Sequence, residues 1–351
     1  MNDLGLPNPE LLHARGAEQK VFHERAAKAA QNNFGKKVFV RAVVEISNFC
    51  RENCIYCGMR RSNKALKRFR TQADTLAELL IHHRPESVTD VNIQAGEDPV
   101  AVREVAIPLI RTLRRETSLG VSVCLGSLSR NLYAELKEAG ASLYIIKFET
   151  ANPTRYAEME SPGTFNDRIE NIRHLAETGW RISSGFIAGL PGHSDADILA
   201  NLELASKLPL DGCSVSPFIP GDETPLSSAA GGDINLTLNC MAALRLMRPG
   251  WVIPSVSALN LAEPGTGYNR GLRTGANLVT INLTPSEVRG DYLLYKRDRF
   301  IMTEERILNA IATEGLIPSK QSLAEYYAAM KVNGSHASPT RDLVLQKPAA
   351  S

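Results

Sequence analysis

"VFVRAVVEISNFCRENCIYCGMRRSN", residues 38–63, runs from an apolar stretch straight into Cys50, Cys54 and Cys57. The β-branched and apolar residues up to Ser47 read as a buried strand. The polar, cysteine-bearing residues that follow read as the loop leaving the C-terminal end of that strand.

Working outward, similar strand-like runs recur at 88–96, 120–128, 142–150, 181–190, 212–220, 251–259 and 276–284. Segments with helical spacing separate them, among them "TQADTLAELLIHHR", "NLYAELKEAG" and "FNDRIENIRHLAETG", and several end in the glycine that closes a helix. This alternation over roughly 250 residues predicts an α/β fold, a single (β/α)8 TIM-type barrel rather than an open doubly wound sheet. Residues 1–35 are expected to form an N-terminal helical extension, 36–330 the barrel domain, and 331–351 a polar, flexible tail. In such barrels chemistry gathers at the C-terminal ends of the strands, which is where the three cysteines fall.

Composition narrows the function. With 351 residues, 43% of them hydrophobic, the chain can bury a large core. Forty basic against 38 acidic residues leave a net charge of +2, which advertises no nucleic-acid partner. No apolar run reaches the roughly 18 residues of a membrane helix, and the first twenty residues lack the pattern of a secretory signal, so a cytoplasmic protein with no membrane partner is expected. Six cysteines, three of them bunched, suit metal binding or redox chemistry better than a disulfide scaffold.

A structural zinc site closes with four protein ligands, and no cysteine or histidine lies within twenty residues on either side of the triplet. An iron-sulfur cluster held by three cysteines keeps one iron open to a small molecule. A zinc loop, or three unligated thiols, is the alternative. Cys124 sits on the third strand, Cys213 opens the sixth, and Cys240 lies mid-helix; buried free thiols are the ordinary fate of such residues.

The Cys-x3-Cys-x2-Cys spacing, with Tyr56 before the last cysteine, resembles the radical S-adenosylmethionine (SAM) enzymes. The resemblance implies one 4Fe-4S cluster on Cys50, Cys54 and Cys57, SAM on its open iron, and reductive cleavage to methionine and a 5'-deoxyadenosyl radical that abstracts hydrogen from a substrate. It implies SAM contacts from Tyr56, from Gly96 and Glu97 in "QAGEDP", from Glu149 in "KFETANP", from Arg168, and from Ile187 in "GFIAGLPG". It also implies an electron donor such as ferredoxin or flavodoxin.

The pattern narrows to the group of biotin synthase, methylornithine synthase and the HydE-type hydrogenase maturases, and "GEDP", "ETANP", "PFIPGDETPL" and "LTPS" look most like the HydE type. A small-molecule or metal-complex substrate in cofactor assembly is the expectation. A methylornithine synthase-like mutase and a sulfur inserter of the lipoyl or biotin type are the rivals, with a non-catalytic iron-sulfur or zinc barrel outside the enzymes. The positions aligned with biotin synthase's sulfur-donor ligands are Asn92, Ser122, Ser183 and Pro254, so the sulfur source is missing. Lys147-Phe148 departs from the Arg-His pair that often precedes Glu-Thr in the HydE type. Ser122, Ser127, Ser183, Ser184, Ser216, Ser255, Ser257, Thr280 and Asn282 lie on or near strand interiors, which suggests a polar cavity.

Overall fold

The structure is a computed structural model that describes residues 7–297 and 300–332. The tail expected at 331–351 lies, from 333 onward, outside the described residues. The central strand is β1 (Lys37–Ser47), followed along the chain by β2 (Asp90–Ala95), β3 (Gly120–Cys124), β4 (Leu143–Ile145), β5 (Arg181–Ala188), β6 (Gly212–Pro217), β7 (Leu278–Asn282) and β8 (Ile317–Pro318). They pair in the order β6-β5-β4-β3-β2-β1-β7, and every ladder is parallel. Helices Pro9–Leu12 and Gly16–Phe34 precede the first strand.

The ring closes through residues 252–254. Val252 bridges Gly212 of β6 and Pro254 bridges Leu278 of β7. Backbone bonds from Val252 N to Asp211 O (3.2 Å), Asn277 N to Ile253 O (2.9 Å) and Ser255 N to Leu278 O (2.9 Å) complete the seam. The strand predicted over 251–259 is thus only a short ladder. Pro254 has no N–H to donate, and a helix already begins at Ala258. Arg245, wholly buried, stitches this seam: its guanidinium donates to the carbonyls of Pro249, Trp251 and Gly275 and to Asn277 Oδ1. Burial pulls its pKa down to about 9, so it stays charged at neutral pH.

Side-chain alternation sorts the strands into two faces. On β1, Val38, Val40, Ala42, Val44 and Ile46 are at most 1% exposed and pack against the surrounding helices. Arg41, on the opposite face, keeps accessible surface inside the ring, as do Gln94, Cys124, Ser183, Thr280 and Asn282. The lumen is therefore polar and open. Ser184 is a correction to the predicted lining: its hydroxyl donates outward to Ile146 O at 2.7 Å.

The N-terminal end of the barrel is sealed. Phe39, Leu143, Ile145, Val252 and Leu278, from the starts of the strands, pack with Phe34 and with Leu323 and Tyr327 of the helix Leu323–Val332. Both carboxylate oxygens of Asp90 accept from Leu323 N at 3.0 Å, and Arg181 donates to Asp211 Oδ1 (2.7 Å) and to Tyr327 O (2.9 Å). Substrate access is left to the opposite mouth.

Candidate active site

At the open mouth the cysteine loop is fixed to the end of β1 and to the β2 loop. Ser47 Oγ donates to Asp98 Oδ2 at 2.7 Å, and Arg70 donates to both oxygens of the same carboxylate at 2.7 and 3.1 Å. The Arg70 guanidinium also lies 4.1 Å over the Phe49 ring. Gly96 packs directly beneath: a Cβ there would sit 2.2 Å from Phe49 O and 2.9 Å from Cys50 Cβ. Its smallness is demanded by the cysteine loop itself, a role the strand-end reading of Gly96 did not foresee.

Cys50, Cys54 and Cys57 are all free thiols, and Cys50 Sγ accepts from Glu97 N at 3.4 Å. Burial, with the charge of its neighbour Cys50, pushes the Cys57 thiol up to about 12, and burial raises Cys54 and Cys50 as well. Burial thus favours the protonated thiols, and bound iron is what would draw them into thiolate form. Among the described residues no three His, Cys, Asp or Glu side chains are grouped to hold a single metal ion, this triplet included. A four-iron cube spreads its thiolates over separate corners, and the donor set of three thiols fits such a group. Tyr56 lies beside them with its hydroxyl 3.4 Å from Ser161 Oγ.

Glu97 and Arg168 form a buried pair, Oε1 to Nη2 at 3.3 Å, each 5% exposed at the side chain. Ser127 N donates to Glu97 Oε1 at 2.8 Å, and Arg51 reaches Oε2 at 3.3 Å. Burial raises the Glu97 pKa against the opposing pull of Arg168. Arg168 loses to burial but gains more from Tyr156 and Glu97, and is held above the ordinary guanidinium value. Gly126, at φ 74°, makes room: a Cβ there would fall 2.0 Å from Glu97 Cγ.

Glu149 follows β4 with φ 62°, a left-handed conformation that costs a non-glycine residue about 1–3 kcal/mol. The turn is locked by Thr150 N to Phe148 O (2.7 Å) and by Ile187 N to Glu149 O (3.0 Å). Its Oε2 is buried with no hydrogen-bond partner. Its charge reaches Cys54, Cys57, Tyr56, Arg168 and Lys147, so Glu149 stands amid the site. Ile187, by contrast, presents an apolar wall with Met159, Leu190 and Phe218.

Deeper in the lumen, Arg41 donates to Thr280 Oγ1 at 3.1 Å and Lys147 lies 3.4 Å from Ser216 Oγ. Neither has a carboxylate in ion-pair range among the described residues. Cys124 lies between them and feels both charges. Asn92 Oδ1 accepts from Ser122 Oγ at 3.0 Å, so two of the positions aligned with a sulfur-donor cluster form a hydroxyl–amide pair. Cys213 and Cys240 belong instead to the core between barrel and helices.

The structure thus brings together the three cysteines, Gly96, Glu97, Glu149, Arg168, Tyr56 and Ile187. Sequence reasoning missed Arg51, Asp98, Arg70, Gly126 and Arg41. Asp98-Pro99 could have been read as a helix start, for Asp98 caps the following helix by accepting from Val100 N. The others announce themselves only through partners distant in sequence.

A sequence profile described as the Radical SAM superfamily matches residues 44–205. The FeFe-hydrogenase maturase subunit HydE of Thermotoga maritima is 34% identical over 284 residues, 81% of this chain and 81% of its own length. The 3-methylornithine synthase of Methanosarcina barkeri is 25% identical over 307 residues, 86% of this chain and 85% of its own. The crystal structure of a methylornithine synthase superposes with a TM-score of 0.80 at 23% identity, covering 93% of this chain and 95% of that one, and shares the fold.

Proposed function

This chain belongs to the radical SAM superfamily, and from that premise we propose that it is a HydE-like enzyme acting on a small polar or organometallic substrate in cofactor assembly. Cys50, Cys54 and Cys57 hold one 4Fe-4S cluster. Bound there, the cluster supplies the electron that cleaves SAM to methionine and a hydrogen-abstracting 5'-deoxyadenosyl radical.

The observation that carries this reading is a buried carboxylate–guanidinium pair, Glu97 with Arg168, set beside three thiols that lack a fourth ligand. An amino acid such as the methionine end of SAM carries an ammonium and a carboxylate, the inverse of that pair. Arg168 offers its fork to the carboxylate and Glu97 accepts from the ammonium. Glu149, with its unpartnered oxygen, accepts from the ribose or the amino group, while Gly96, Tyr56 and Ile187 shape the walls. In the lumen, Arg41 and Lys147 favour a substrate carrying negative charge, and the thiol-free Asn92, Ser122 and Ser183 argue against a second, sulfur-donating cluster. An electron carrier of the ferredoxin or flavodoxin kind completes the system. Among the described residues no helix is long and apolar enough to cross a membrane.

Anaerobic reconstitution tests the proposal. About four irons per chain, a reducible cluster, and 5'-deoxyadenosine released from SAM on reduction are expected. Reconstituted protein that leaves SAM intact under strong reductant sinks the reading; close to eight irons promotes a sulfur inserter.

A further inference from the structure

Residues 58–70, "GMRRSNKALKRFR", hold six cations and no carboxylate, although the whole chain is only +2. Three of the six are spent internally. Arg60 faces Glu160 at 3.9 Å, Arg70 binds Asp98, and Arg68 donates to the carbonyls of Asn48, Met59, Arg60 and Asn63. Arg61, Lys64 and Lys67 remain exposed, with no ion pair among the described residues.

These three stand on a braced shelf one step from the cysteines. Arg60 N donates to Cys57 O (3.1 Å), Arg61 N to Glu52 O (2.8 Å), and Asn63 Nδ2 to Gly58 O (2.8 Å). Met59, Leu66 and Phe69 anchor the shelf against Tyr292 and Leu293. Three nearby carboxylates are engaged elsewhere, Glu52 by Arg51, Asp222 by Lys296 and Glu223 by Arg297, while Asp291 adds one negative charge beside the shelf. The adjoining helix Ser286–Arg289 adds Glu287 and Arg289, one charge of each sign. Residues 58–70 therefore carry a surplus of positive charge, next to the loop that the proposed function assigns to the cluster.

We propose that Arg61, Lys64 and Lys67 form the docking surface for a small acidic one-electron carrier protein. This rests on the proposed cluster at Cys50, Cys54 and Cys57. Opposite charges steer such a partner to the shortest route into the site, and rim charges of this kind set association rate and salt dependence. The carrier gives one electron and leaves oxidised by one electron, with no proton or group transferred. Three cations neutralise too few phosphates for a nucleic acid to be the intended occupant.

The test compares wild-type holoenzyme with Arg61→Glu/Lys64→Glu/Lys67→Glu and with the milder Lys64→Gln/Lys67→Gln, using purified flavodoxin as probe. Calorimetric titration with oxidised flavodoxin should show Kd rising about tenfold or more in the charge-reversed protein, less in the milder one, with the wild-type salt dependence flattened. Iron content and dithionite-driven 5'-deoxyadenosine release should be unchanged while flavodoxin-driven release falls. An unchanged Kd, equal loss with dithionite, or a random DNA duplex bound as tightly as flavodoxin overturns the docking surface. Failure of the wild type to cleave SAM with dithionite instead overturns the function, and the titration still judges the surface.

Discussion

The two ends of the barrel are built on opposite terms. At the N-terminal end, strand starts meet the helix Leu323–Val332 in an aromatic and aliphatic plug, and the charges present, Asp90 and Arg181, are bonded to backbone groups of that helix. At the C-terminal mouth, Glu149 is held in a left-handed conformation with an unpartnered oxygen, three free thiols are gathered on one loop, and a carboxylate and a guanidinium share a crowded pocket. One end is satisfied within the fold; the other gathers groups suited to a ligand. Changes at the first should therefore move stability and spare the chemistry, and changes at the second the reverse.

The largest effect expected is total. Cys50→Ala, Cys54→Ala or Cys57→Ala should abolish iron binding and SAM cleavage, whereas Cys213→Ala and Cys240→Ala, which touch only the core, should retain about four irons. Iron analysis of the five purified proteins decides it, and loss of iron from either core variant would mean that the ligands lie elsewhere.

At the plug, Tyr327→Ala removes a ring from the cluster that includes Phe39, Leu143 and Leu278 and should cost about 3–5 kcal/mol in denaturant unfolding. Iron content and SAM cleavage per folded molecule should not follow. A parallel loss of SAM affinity would show that the two ends are coupled.

Asp90 supplies a pH test of the same end. Burial raises its pKa from 3.8 to about 6. The folded chain holds that proton more tightly than the unfolded one, so the contribution is fully present below pH 3.8 and is lost as pH rises through about 6. At neutral pH the loss amounts to at most about 3 kcal/mol. Asp90→Asn keeps an acceptor for Leu323 N without the charge. Unfolding measured at pH 5 and at pH 7.5 should show a smaller difference between the two values in the variant; an identical difference refutes the assignment.

The smallest effect belongs to the mouth. Glu97→Gln preserves shape but removes a charge, and SAM binding should weaken by about 1.5–3 kcal/mol with the cluster spectrum unchanged. Unaltered affinity would take Glu97 out of the site.

What could be read in advance follows the range over which each feature is written. The three cysteines and the strands around them are local patterns, and the alternation of Val38 through Ile46 declares its faces without help. The closing seam was not legible in its true length, because Trp251 is held by Arg245 and Ile253 by Asn277, bonds that no periodicity reveals. Gly126 and Arg51 escaped notice for the same reason, since each matters through Glu97, tens of residues away. Gly96 was singled out for a ligand's approach, and the structure adds a demand no pattern announced: the chain's own cysteine loop packs against it.

A closed ring opens at its weakest join. Six of the joins around this barrel are ladders between named strands, but the seam at 252–254 rests on three backbone bonds and the grip of one arginine. At about 1 kcal/mol net for each bond, the backbone contributes little there, and the buried side chains of Trp251, Val252 and Ile253 with Arg245 supply the rest. The lumen wall there depends on one buried side chain, Arg245, more than on any ladder. The guanidinium that holds the wall together is thus far from the mouth where the chemistry gathers, and it guards the dryness of the interior from behind.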